Sequence, residues 1–141
     1  MKYIITILFV GLILSCTVSK KAVTTPITGK NTFLLTEVST DPTYGLSSEN
    51  PVEVGGAHKN EGPINERRYL NALAGPNGEK VIFYRAGSCC AVKSENGFLG
   101  MAMLDNYRVT WEGSKDTVSI YINMYDHSNL KAPVGFTIKN N

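Results

Sequence analysis

Two adjacent cysteines, Cys89 and Cys90, are the residues of this chain whose type and spacing most directly suggest chemistry. They close the stretch Gly78-Glu79-Lys80-Val81-Ile82-Phe83-Tyr84-Arg85-Ala86-Gly87-Ser88-Cys89-Cys90. Consecutive Cα atoms lie about 3.8 Å apart across a trans peptide, below the span of about 4.4–6.8 Å usual for bridged cysteines. A bond between neighbours closes a tight ring that is easily reduced, and in an oxidising compartment it can act as a redox or conformational switch. Another reading is two reduced thiols at a strand end, one in the core and one facing away. A third is a catalytic thiolate whose pKa is lowered by the positive charge of Arg85. His58 and His127 are the chain's only histidines. Either could pair with a cysteine on paper, but no Cys-x-x-Cys or His-x-x-x-His spacing calls for a metal, and no cofactor is expected. Ser88 sits in Gly87-Ser88-Cys89, outside the Gly-x-Ser-x-Gly elbow. Arg67, Arg68 and Arg85 could gather an anionic ligand. Against that, Glu66 and Arg67 read as solvated helix positions, where an ion pair contributes at most about 1 kcal/mol.

The elements that must position these residues follow from periodicity. Val81-Ile82-Phe83-Tyr84 is strand composition between glycines. Alternation places Val81, Phe83 and Arg85 on one side and Ile82, Tyr84 and Ala86 on the other, so Arg85 needs a carboxylate, a carbonyl or water at its end of the strand. The clearest hairpin comes later. Tyr107, Val109 and Trp111 alternate with Arg108 and Thr110, then Val118, Ile120, Ile122 and Met124 alternate with Ser119, Tyr121 and Asn123, across a loop over residues 112–116. Residues 94–97 read as a loop, residues 33–38 as a first strand, residues 51–54 as a short edge strand and residues 134–138 as a last strand. Gly55-Gly56 reads as a tight turn, since no Gly-Lys-Ser/Thr or G-x-G-x-x-G follows. A helix is predicted from Pro63, a residue favoured in a first turn, to the Gly75-Pro76 stop, with an apolar stripe of Ile64, the Arg68 stem, Leu70 or Leu73, and Ala74. The expected fold is α+β: one small domain with a mostly antiparallel sheet of five or six strands and one short helix.

Composition bounds the partners. With 14 basic and 12 acidic residues in 141, the formal charge is +2. That is too small to argue for nucleic acid, and no basic stripe with interleaved aromatics is present.

The N-terminus opens with Met1-Lys2-Tyr3 and an apolar run from Ile4 to Leu14, too short to span a bilayer of about 30 Å but suited to a signal-peptide core. It ends at Leu12-Ile13-Leu14-Ser15-Cys16, which resembles the lipobox of bacterial lipoproteins. The resemblance implies a signal peptide over residues 1–15, removed so that Cys16 becomes the N-terminus and carries the acyl chains (palmitate among them). Several chains give stable anchoring where one gives little. Residues 16–32 then form a flexible tether, with no acidic residue and no hydrophobic period, and residues 33–141 form the domain. Without an acid directly after Cys16 the inner-membrane retention signal of lipoproteins is missing. The implied location is the cell envelope, in the outer membrane facing the periplasm.

A second resemblance runs along residues 42–136. Tyr44-Gly45, Asn50-Pro51-Val52-Glu53-Val54-Gly55-Gly56, Gly62-Pro63, Asn65-Glu66-Arg67-Arg68-Tyr69-Leu70-Asn71-Ala72-Leu73, Gly75-Pro76-Asn77-Gly78, Gly87-Ser88-Cys89-Cys90 and Pro133-Val134-Gly135-Phe136 resemble a family of small lipoproteins from Bacteroidota-type bacteria. That family has no characterised activity, although some members carry the label 2-dehydro-3-deoxyphosphooctonate aldolase. The label does not suit this chain. That synthase is a TIM barrel of roughly 200 residues or more, and its substrate is a cytosolic sugar phosphate. Two function classes follow: a non-enzymatic envelope lipoprotein that binds a protein or small ligand, or a thiol-based redox factor or small enzyme built on Cys89 and Cys90. A lipid tether, one small domain and no recognisable catalytic set favour the first.

Overall fold

The computed structural model describes residues 24–29 and 31–139. The signal peptide, Cys16 and the expected tether as far as Val23 lie outside the described residues. In chain order the elements are β1 (Ile27–Thr28), β2 (Thr32–Phe33), β3 (Val52–Glu53), a 3₁₀ turn (Ala57–Lys59), α1 (Gly62–Leu70), β4 (Leu73–Ala74), β5 (Val81–Phe98), β6 (Met101–Trp111), β7 (Val118–Asn123) and β8 (Thr137–Ile138). The α+β class with a mainly antiparallel sheet is as expected. The main sheet has four strands in the order β3-β7-β6-β5, and β1-β2 and β4-β8 form two small antiparallel pairs.

The period-two hairpin forms as read: β6 and β7 pair antiparallel, with Tyr107 opposite Ile120 and Val109 opposite Val118. Val109, Ile120 and Ile122 are fully buried. They face α1, whose Tyr69 and Leu70 are also fully buried, and the cluster closes around Phe33, Leu130 and Phe136. Buried tyrosine must place its hydroxyl, and Tyr69 does so by donating to the Lys131 carbonyl at 2.9 Å.

Four expectations need correction. The chain does not turn at residues 94–97. β5 runs through them to Phe98, and the turn falls at Leu99-Gly100, both with positive φ. The local punctuation is absorbed by three irregularities in the β5–β6 ladder, between Arg85 and Gly87, Cys89 and Ala91, and Lys93 and Phe98. Of the strand expected over residues 33–38, only Phe33, at the end of β2, and a single bridge from Val38 to Ala132 remain. Ordered pairing instead starts earlier, at Ile27, inside the stretch read as tether. The last strand shrinks to Thr137–Ile138, because Val134 and Gly135 form a turn. Finally, the helix ends at Leu70 rather than at Gly75-Pro76, so Leu73 and Ala74 of the predicted stripe lie in β4. It buries Gly62, Asn65, Glu66, Tyr69 and Leu70, while Ile64 is 38% exposed.

One pairing runs against the antiparallel majority. β3 joins the far edge of β7 in parallel, with Val52 opposite Ile122. No helix among the described residues is long and apolar enough to cross a membrane.

Candidate functional site: a buried carboxyl cluster beside the cysteine pair

β6 alternates inward through Trp111, Val109, Tyr107 and Asp105, and β5 alternates inward through Val81, Phe83 and Arg85. The two apolar stripes therefore both end in a charge at the same edge of the core. Arg85 meets its carboxylate there. Its Nε and Nη2 donate to the two Asp105 oxygens at 2.5 and 2.8 Å, a bidentate pair. Ser88 completes the group, accepting from Arg85 Nη2 at 2.6 Å and donating to Asp105 Oδ1 at 2.9 Å. Asp105 is only 2% exposed.

The second acid in this region is Glu66, expected on the solvated side of the helix and found fully buried. Tyr107 donates its hydroxyl to Glu66 Oε2 at 2.9 Å, whereas Glu66 Oε1 is buried with no hydrogen-bond partner. Burial, and then the Asp105 charge, push the Glu66 carboxyl up to about 7, outweighing the Tyr107 hydrogen bond and the Arg85 charge. Burial and the Glu66 charge in turn drive the Tyr107 phenol well above its ordinary range. Glu66 is thus a proton-holding group near neutral pH, set beside the Arg85–Asp105 salt bridge.

One residue past Ser88, Cys89 and Cys90 are joined as a vicinal disulfide. Cys90 takes a left-handed backbone (φ 51°), and the ladder slips between Cys89 and Ala91. Beyond this point β6 no longer pairs with β7, whose ladder covers Asp105 to Val109. The two strands continue as an arm. Its inner side is fastened to the body through Asp126, which accepts from Ser94 Oγ and Asn96 Nδ2, both at 2.8 Å, and from Asn123 Nδ2 at 2.7 Å. Ala102 and Leu104 of the arm are fully buried. The other side is open: Phe98 is 81% and Leu99 86% exposed, with Met101 and Met103 beside them.

The structure divides the residues singled out in the sequence. Arg85 stands at the carboxyl cluster, and Arg67 is exposed on α1, near enough for its charge to act on Tyr107. Arg68 points elsewhere, into a cleft that also holds His58 and His127. The three arginines therefore do not form one anion site. No cysteine lines the histidine cleft, and both cysteines are held in the disulfide, so the sequence-level Cys–His pairing is not assembled. Among the described residues no three His, Cys, Asp or Glu side chains converge. Asp105 and buried Glu66 were missed by sequence reasoning. Asp105 could have been found, as an acid in phase with Tyr107, Val109 and Trp111. No family model, curated protein or solved structure matches the chain.

Proposed function

We propose that this is a cell-envelope lipoprotein, anchored through Cys16 in the outer membrane and facing the periplasm. In this reading it acts as a non-enzymatic binding module, engaging an envelope protein with the β5–β6 arm. The observation that carries the reading is the open side of the arm, where Phe98 and Leu99 stand 81% and 86% exposed next to Met101 and Met103. Contiguous exposed apolar surface marks interaction sites, and methionine adapts such surfaces to a partner. A polypeptide partner suits the site better than a lipid, because β5 is the outermost strand of its sheet and offers main-chain groups as well as side chains. Eight peptide steps separate Cys16 from Thr24 and can span at most about 29 Å, so the anchor keeps Thr24 within that distance of the bilayer. A photo-crosslinking residue at Leu99 in living cells should give a discrete protein adduct. The same probe at Thr110 should not, and Met101→Ser with Met103→Ser should abolish the Leu99 adduct. Lipid adducts alone, or identical adducts from both positions, would overturn the reading.

A second reading is favoured by the Cys89–Cys90 bond itself, which lies on the same arm. A partner dithiol would attack one sulfur and expel the other as a thiolate. The partner would leave as a disulfide, and Cys89 and Cys90 as two thiols. Cys90→Ser should then trap a mixed disulfide through Cys89. If no mixed disulfide accumulates in the envelope, the redox role is excluded.

A further inference from the structure

A cleft of about 340 Å³ opens between the 3₁₀ turn, α1 and the segment around His127. Its size is that of a small-molecule site. One wall is apolar: Phe33, Val54 and Leu130, all nearly or fully buried. The other presents Lys59, Arg68, His58 and His127, against Glu61 as the one carboxylate in the lining.

Arg68 is held in position rather than left loose. Gly55 accepts from Asn65 Nδ2 at 3.1 Å, which turns Asn65 Oδ1 to receive Arg68 Nη1 at 2.8 Å. Arg68 Nε is then buried with no hydrogen-bond partner among the described residues, a costly state for a donor. The His127 ring is fixed too. It lies so close over Gly55 that a Cβ at that position would sit 2.3 Å from its atoms, and Gly55 has φ +63°, where side chains are disfavoured. The double glycine that read as a mere turn is therefore the floor on which a cationic wall is assembled.

We infer that this cleft binds an amphiphilic anion, a molecule with a carboxylate or phosphate head and a short apolar body. The head meets the part of the Arg68 guanidinium that lines the cleft, a group whose planar fork suits carboxylate and phosphate, with Lys59 as a second point charge. The body lies on Phe33, Val54 and Leu130. Thr24, Thr25 and Ile27 also border the cleft, so the segment leading to the N-terminus forms part of its rim.

The test is titration of the purified full chain with octyl phosphate, octanoate, octyl glucoside and inorganic phosphate, read by NMR shifts of the Asn65 and Arg68 side chains. Octyl phosphate and octanoate should bind at least roughly tenfold more tightly than the neutral octyl glucoside or headgroup-only phosphate, the worth of one charge-assisted hydrogen bond. Arg68→Gln should lose about that factor and Lys59→Gln part of it, while Arg67→Gln, exposed on the same helix, should lose none. Vesicles of phosphatidylglycerol distinguish the source. A response to soluble octyl phosphate assigns a free metabolite, and a response to vesicles alone assigns a lipid. Equal affinity for octyl glucoside and octyl phosphate, an unchanged Arg68→Gln, or no response to any probe overturns the site.

Discussion

Tyr107 on the sheet donates its hydroxyl to Glu66 on the helix at 2.9 Å, and the carboxyl's other oxygen is buried without a partner. One hydrogen bond thus ties α1 to β6 through a group that holds its proton up to about pH 7. An acid raised in the folded state binds protons more tightly there than when unfolded. Its stabilisation is complete below the ordinary value of 4.5, declines as pH rises towards 7, and is gone above it. The amplitude is on the order of 3 kcal/mol. Glu66→Gln keeps an acceptor for Tyr107 without the charge. It should match the parent at about pH 5, exceed it at about pH 8, and flatten the pH dependence between. Urea unfolding at both pH values checks this, and parallel profiles for the two proteins would refute it.

Asp105 is the acceptor for Arg85 and Ser88 and is almost fully buried. Asp105→Ala strands those donors and should cost about 2–4 kcal/mol. It also removes the charge that raises Glu66. In Asp105→Asn the Glu66 titration, followed by carboxyl-carbon NMR, should move to lower pH.

The Cys89–Cys90 bond predicts an intact mass, without reductant, lower by two hydrogens than after reduction. So small a ring scarcely restricts the unfolded chain. Cys89→Ser with Cys90→Ser should therefore change stability by less than about 1 kcal/mol, as measured by thermal unfolding.

Val109 and Ile122 are fully buried, whereas Thr110 and Ser119 are only partly covered on the opposite face. Aspartate at either of the first pair should cost several kcal/mol, and at either of the second less than about 1 kcal/mol. Similar losses at both pairs would show that the sheet is equally covered on its two sides.

Asp126 fastens the arm through Ser94, Asn96 and Asn123. Burial raises its pKa, yet those hydrogen bonds and the His58 charge leave it lowered overall. Asp126→Ala should weaken hydrogen-exchange protection in Ala102 and Leu104 well before it lowers protection in Val109, an opening confined to the arm.

What the sequence made legible was local. Period-two alternation gave the β6–β7 hairpin and the demand of Arg85 for a partner, because side chains on a strand report their own face directly. The end of β5 was not legible, since two cysteines, a glycine and a polar run imitate the composition of a loop while a bulged ladder accommodates them. Glu66 was hidden for a different reason. The helix is too polar for its inward face to stand out, and only the spacing from Glu66 to Tyr69 and Leu70 marks it. The Arg68 cleft depends on residues far apart in sequence, with Phe33, Gly55, Asn65 and His127 brought together by the fold alone. The pairing of β3 with β7 has no local signature at all.

That parallel pairing has a kinetic consequence. Val52 finds its neighbour in Ile122, seventy residues later in the chain, whereas β5, β6 and β7 each meet the strand next to them. Closing the long loop costs entropy that only a finished β7 can offset. β3 is then expected to dock on a β5–β6–β7 meander that has already formed. A chain emerging from its N-terminus must keep Val52 and Val54, both destined for the core, waiting until β7 is free.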